Sequence, residues 1–188
     1  MRKYIENIAG PIPDKDWNLY EENLTVKKAK KGEIILPINK KCTTIWHLTK
    51  GAVRKFEIDN GVEKTTHFYT EPKVFTVLDS ALTNKLSDLS IICEEDCEFL
   101  ELDIKKLQFL YQQSIYIERI GRRMVEEEFI EEFSIRRMFL KLSATQRYEY
   151  MEKQHSEIMQ RFQLKDLATF IGVTPETLSR LRKVRLSV

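Results

Sequence analysis

The sequence predicts an α+β chain: an antiparallel β-domain first, one long helix next, and a helix-turn-helix last. Three observations carry this. Between Leu24 and about Leu102, eight short segments alternate or run apolar and are separated by turn signals. From about Ile115 to Leu142, apolar residues recur at helical spacing. From Leu164 to Lys183 the chain reads helix, glycine turn, helix.

With 42% hydrophobic and 32% charged residues, a chain of 188 residues is expected to be soluble and globular, with one or two domains. No apolar run approaches membrane-spanning length. The opening MRKYIENIAGPIPDKDW lacks the apolar core of a secretory signal, so the cytoplasm is expected. Net charge is +2, unevenly spread. Arg161 to Val188 holds six basic residues against two acidic ones, and the rest of the chain has 25 against 27. A basic end on a near-neutral body suggests a polyanion partner for that end.

Cys42, Cys93 and Cys97 fit no disulfide framework, and Cys93 and Cys97 alone are too few for an iron–sulfur or zinc site. His47, His67 and His155 are isolated in sequence, with no His-x-His pair for a metalloenzyme of the cupin type. No catalytic residue, metal ligand or cofactor is therefore expected.

In chain order, Asp14 to Tyr20 should be a short helix with Asp14 as its N-cap. The segments LTVKKAK, EIILPI, TTIWHLT, AVRKFEI, EKTTHFYT, VFTVL, LSIICEE and EFLELD then read as strands. Asn60-Gly61 is the strongest hairpin signal, because both residues tolerate the positive φ of a tight turn. A β-barrel or rolled sandwich follows, with Ile45, Trp46, Leu48, Val53, Phe56, Phe68, Phe75, Ile91, Phe99 and Leu100 in its core. Asp103 caps a helix over IKKLQFLYQQ.

The long helix carries Ile117, Ile120, Met124, Val125, Phe129, Phe133 and Leu140 on one stripe. Arg122–Glu126, Arg123–Glu127 and Glu132–Arg136 stand at i,i+4 on the other face. Such a helix can pack on its own chain or pair with its copy in a homodimer. Ser143 and Gln146 form a capping box for TQRYEYMEKQ, and HSEIMQRFQ reads as a connector.

In the last stretch, Leu164, Leu167, Ala168 and Ile171 form one helix face, and Gly172 ends the helix. Thr174 caps the next helix, Pro175 suits its first position, and Val173 and Leu178 staple its entry. Glu176, Arg180 and Lys183 share one face, with Thr177 and Ser179 beside them. A polar, mostly basic helix face of this kind suits a DNA major groove, whereas the plainer alternative is a helical hairpin with a solvated face. Arginine can donate two hydrogen bonds to guanine, and a carboxylate can accept from cytosine.

The order of parts, with the segments KKGEIIL, WHLTKGAVRKFEIDNGVEKTTHFYTE and IGVTPETLSRLRK, resembles the Crp–Fnr superfamily of transcription regulators over nearly the whole chain. The last segment is similar to short regulators of the Bacteroidetes type. The resemblance implies a cyclic-nucleotide-binding-like β-roll over 1–113, a dimerisation helix over 114–142 and a helix-turn-helix domain over 143–188. By motif position it implies base contacts from Glu176 and Arg180. Thr174, Thr177, Ser179 and Lys183 would lie near phosphates or the groove, and Lys165, Arg182 and Arg161 would add phosphate attraction. The implied partners are a palindromic double-stranded DNA, a second copy of the chain, an unidentified small-molecule effector and RNA polymerase, with no membrane.

Two departures qualify the resemblance. Pro175 stands where many relatives carry another polar or basic reader, so base preference does not transfer. The nucleotide-binding stretch reads VFTVLDSALTNKLSDLSII, without the Gly-Glu pair or the arginine of nucleotide-binding members. Ser87 and Asp88 fall where Arg and Ser would be, and an aspartate repels a cyclic phosphate, so no cyclic AMP binding is expected. The alternative reading is an effector-binding or interaction module of the same fold that has lost DNA binding.

Overall fold

The computed structural model describes residues 1–185, so the last three residues of the expected 143–188 segment lie outside the described residues. Two helices open the chain, α1 (Arg2–Ala9) and α2 (Asp14–Glu21). Eight strands follow: β1 (Thr25–Ala29), β2 (Ile34–Leu36), β3 (Thr44–Lys50), β4 (Ala52–Asp59), β5 (Val62–Thr70), β6 (Lys73–Phe75), β7 (Leu89–Cys93) and β8 (Cys97–Asp103). A short helix, α3 (Leu78–Thr83), interrupts them between β6 and β7. The helical half comprises α4 (Ile104–Tyr111), α5 (Ile115–Lys141), α6 (Ala144–Gln154), α7 (Ser156–Arg161), α8 (Leu164–Ile171) and α9 (Pro175–Arg185). Among the described residues, no helix is long and apolar enough to cross a membrane.

The strands form two four-stranded antiparallel sheets, ordered β1-β8-β3-β6 and β2-β7-β4-β5. This is the rolled antiparallel domain the turn spacing predicts. At the β4–β5 hairpin Asn60 (φ 52°) and Gly61 (φ 81°) both take positive φ, as a tight two-residue turn requires. Ala29, Trp46, Leu48, Val53, Tyr69, Phe75, Ile91 and Phe99 fill the interior between the sheets. Its aromatic rings stack: Trp46 on Phe75 at 5.7 Å and Tyr69 on Phe75 at 4.7 Å between centroids.

The N-terminal helices close one side. Ile5, Ala9, Ile12, Trp17 and Tyr20 pack with Leu102, Leu107, Leu110, Ile117 and Ile120 in a second core. Buried His47 on β3 ties this layer to the roll. Its Nδ1 donates to the Leu100 carbonyl (2.9 Å), because a carbonyl can only accept, which leaves Nε2 to accept from the Tyr20 hydroxyl (2.7 Å). Burial holds the pKa of His47 down at about 4, so the neutral ring is the native form.

Helix capping follows the expected residues. Asp103 accepts from the amides of Lys105 and Lys106, and the Ser143–Gln146 capping box is complete; Ser114, not among the expected caps, accepts from Tyr116 and Ile117. Asp14 is different. It is the first residue of α2 rather than its cap, with Pro13 before it, and its carboxylate pairs with Arg2 at 2.8 Å.

Several expectations need correction. HSEIMQRFQ is not a plain connector, because Ser156–Arg161 forms α7. VFTVL is strand only through Phe75, and the chain then turns into α3. Leu100 and Ile45 are only half-buried. Phe68 does not serve the roll interior. It faces the other way with Ala52 and joins a third core made by Met138, Tyr148, Met151, Phe162, Leu167, Ala168, Phe170, Ile171 and Leu178.

Helix α5 serves two purposes along its length. Ile117 and Ile120 are buried against its own chain, while Val125, Phe129, Phe133 and Leu140 are exposed. Of the expected i,i+4 pairs Arg122–Glu126 forms, but Arg123 also turns to Glu126 (2.6 Å) and Glu132 turns to His67 (3.0 Å). The Arg123–Glu126 pair still runs along α5, at i,i+3, whereas Glu132 turns its charge toward β5.

Candidate nucleic-acid interface

Helix α8 ends where the sequence indicates. Gly172 takes φ 78°, ψ 41°, and its amide and that of Val173 both donate to the Ala168 carbonyl at 3.0 Å. A β-carbon at Gly172 would approach the Phe139 ring to 3.1 Å, so both backbone shape and space favour glycine here. Thr174 then caps α9: its hydroxyl accepts from the Thr177 amide at 3.3 Å. Leu178, Ala168 and Leu167 are fully buried beneath the two helices, so the pair forms a rigid unit.

Burying Leu178 turns the opposite face of α9 outward. Glu176, Arg180 and Lys183 are exposed there, at spacings of four and three residues. Arg180 Nη2 donates to the Thr177 hydroxyl at 3.3 Å, and that hydroxyl lies 3.2 Å from the Thr174 hydroxyl. The amide of Glu176 itself, then the Thr174 hydroxyl, hold the Glu176 carboxyl below the usual carboxylate range. Thr174 and Lys165 are also exposed, and Thr177 and Ser179 are half-buried at the flank. Arg182 is half-buried and donates to the Met159 carbonyl at 3.2 Å.

Arg161 is placed differently from the expectation. Its guanidinium contacts Glu95 (2.8 Å), Glu71 (2.9 Å) and Glu157, which leaves little charge to offer a phosphate. The carboxylate of Glu95, above all, pushes the pKa of Arg161 up, so this cation is locked into the contact between α7 and the roll.

Two arginines absent from the sequence reading organise the interface from behind. Arg147 on α6 donates to the Ile171 carbonyl (2.7 Å) and to the Leu142 carbonyl (2.8 Å), and its guanidinium lies over Phe139 (4.8 Å). One side chain thus joins the end of α5 to the turn of the helix pair. Arg54 on β4 reaches Glu94 (2.8 Å), Glu63 (2.7 Å) and Asp166 of α8 (3.5 Å). Burial opposes the charge on Arg54, but the three carboxylates outweigh it and hold its pKa up. Beside this group the Thr65 amide donates to the Thr169 hydroxyl at 3.2 Å. No local periodicity signals either arginine, because the contacts that tie elements together, Arg147 to Ile171 and Arg54 to Glu94 and Asp166, are distant in sequence.

The cyclic-nucleotide stretch also has a clear geometry. The Ser87 hydroxyl is buried and turned onto its neighbour, donating to the Leu89 carbonyl (2.8 Å) and accepting from the Leu89 amide (3.0 Å). Asp88 is exposed.

An antiparallel roll, a long helix and a terminal helix-turn-helix define the Crp–Fnr fold, and the chain has that fold. Among solved structures it is similar to FixK2 from Bradyrhizobium japonicum, at TM-score 0.75 and 16% identity over 87% of this chain and 85% of that one. The c-di-GMP-responsive global regulator CLP of Xanthomonas campestris gives TM-score 0.72 and 14% identity over 93% and 92%. A transcriptional regulator of the crp/fnr family from Eubacterium rectale gives TM-score 0.70 and 17% identity over 94% and 85%. No protein-family model matches the chain, and no curated protein does.

Proposed function

We propose that this chain is a cytoplasmic, homodimeric, sequence-specific DNA-binding transcription regulator. Residues 1–113 serve as effector sensor or scaffold, 114–142 as dimer seam and 143–188 as DNA-binding domain. The observation that carries the reading is the outward face of α9: Glu176, Arg180 and Lys183 stand exposed, while Ala168 and Leu178 are buried in one core cluster behind it. A helix held rigidly by its back, with a polar face forward, can enter a major groove and present side chains to base edges. Glu176 and Arg180 read bases. Thr174, Thr177, Ser179, Lys165 and Lys183 position the helix on phosphates or in the groove, and Arg182 contributes after releasing the Met159 carbonyl.

Dimerisation is supported by the exposed row Val125, Phe129, Phe133 and Leu140, since contiguous apolar surface on a soluble chain marks an interaction site. Two copies related by a two-fold axis read a palindrome, with half-site centres about 34–36 Å apart. The likeness to Crp–Fnr regulators supports DNA binding. RNA polymerase is a further partner in this proposal.

Cyclic AMP is not the effector in this proposal. The roll interior is occupied by stacked Trp46, Tyr69 and Phe75, and the Ser87 hydroxyl is spent on its own backbone. Selection of bound duplexes from a random pool tests the function. Enrichment of a palindrome supports it. No enrichment at low salt overturns it and favours the interaction module without DNA binding.

A further inference from the structure

We propose that His67, Glu128 and Glu132 form a binding site for a divalent transition-metal ion, between the roll and the long helix. Strand β5 presents His67 and Tyr69 on one face, and α5 presents Glu128 and Glu132 one turn apart on the face that meets it. One ligand atom from each of the three residues lies within 4.8 Å of the other two.

The histidine is the observation that points to a ligand. His67 is 4% exposed, and among the described residues neither of its ring nitrogens has a hydrogen-bond partner. A buried imidazole without partners is costly, and such groups are rare in folded proteins. Its Nε2 lies 3.0 Å from Glu132 Oε1, but the carboxylate sits off the ring's hydrogen-bonding direction. The ring is held in place by stacking on Tyr69, with centroids 5.8 Å apart and planes 18° from parallel.

The surroundings favour a cation. Glu128 Oε1 lies 3.3 Å from buried Lys55 Nζ and accepts from the Tyr69 hydroxyl at 3.2 Å. An ammonium already rests against one carboxylate of the trio, and a metal ion would compete with it there. One imidazole and two carboxylates suit zinc and its first-row neighbours, whereas calcium and magnesium favour all-oxygen sets.

In a tetrahedral zinc site with bonds of about 2.0–2.2 Å, donor atoms stand about 3.3 Å apart. The His67–Glu132 pair, 3.0 Å apart, is already near that spacing, and the Glu132 side chain is 53% exposed, with room to adjust. A cavity of about 670 Å³ lined by His67, Glu132, Thr169 and Thr174 provides the entry path and room for water on the open position.

The test uses the full chain, stripped with EDTA and titrated with Zn²⁺ by calorimetry. One ion per chain is expected, at roughly micromolar affinity or tighter. Glu132→Gln, a change at an exposed position, should weaken binding at least about ten-fold, as should His67→Gln. Lys55→Met should strengthen it, because the competing ammonium is gone. A chain that binds no zinc, or a Glu132→Gln protein that binds as well as the parent, overturns the proposal. So does binding that disappears only when Cys93 and Cys97 are changed to serine, since the metal would then sit on thiolates.

Discussion

Arg54 on β4 and Asp166 on α8 lie 3.5 Å apart with side chains only 3% and 5% exposed, so a buried charge contact joins the roll to the first helix of the helix pair. The two partners are not equivalent. Arg54 also holds Glu94 and Glu63, while Asp166 Oδ2 has no hydrogen-bond partner, and burial pushes the pKa of Asp166 up. Arg54→Met should therefore cost about 3–5 kcal/mol, because it strands buried carboxylates. Asp166→Asn should cost about 1 kcal/mol or less, since it removes a charge that is poorly served. Urea unfolding of the two variants checks this, and equal losses would show that the cluster is held by something other than Arg54.

Stability should fall in acid through His47. Its folded pKa is about 4, against 6.5 for the free side chain. Between those values the unfolded chain takes up a proton that the folded chain refuses, so the neutral form's contribution is present above pH 6.5 and lost as pH falls toward 4. The full effect is about 3 kcal/mol. His47→Asn, which keeps a donor for the Leu100 carbonyl, should be less stable at neutral pH but show a flatter decline over that range. An unchanged slope in chemical denaturation would place the acid sensitivity elsewhere.

The proposed dimer seam can be tested without touching the core of the chain. Phe129 is 61% exposed and Phe133 48%, so neither is needed to fill the chain's own interior. Phe129→Glu should weaken self-association by about 2–4 kcal/mol, the range of a central interface residue, and leave thermal stability of the monomer nearly unchanged. Light scattering across a dilution series measures it. A dimer that survives Phe129→Glu and Phe133→Glu together would move the interface off α5.

Base reading and phosphate attraction should separate on α9 and α8. Arg180→Ala is expected to cost about 1–3 kcal/mol at one base position and to relax specificity there. Lys165→Ala should weaken all duplexes alike and reduce the salt slope by about 1. Binding to a panel of single-base variants at several salt concentrations distinguishes the two. A uniform loss from Arg180→Ala would assign it to the phosphates.

Legibility followed the range of the interaction concerned. The Ser143–Gln146 box, the Asp103 cap, the Asn60-Gly61 turn and the Gly172–Thr174 junction involve residues within a few positions of each other, and all formed as expected. Strand count was legible for the same reason, since alternation and turn residues are local. Phe68 was misplaced because alternation says that a residue faces away from its neighbour, not which body covers that face; here Phe162 and Phe170 cover it at 4.4 Å and 5.2 Å. Arg161 was misassigned because net charge reveals the presence of a cation but not the carboxylates beside it.

By itself, then, the sequence determined the order of elements, their caps and the polar face of α9, since each depends on steric and hydrogen-bonding preferences a few residues long. Tertiary structure alone decided which charges are spent and which groups meet. It consumed Arg161, buried Arg54 against Asp166, and brought His67 beside Glu128 and Glu132, sixty residues and more along the chain. Such contacts depend on how a sheet and a helix pack. Low-dielectric burial then makes each pairing consequential, and neither packing nor burial is written in local spacing.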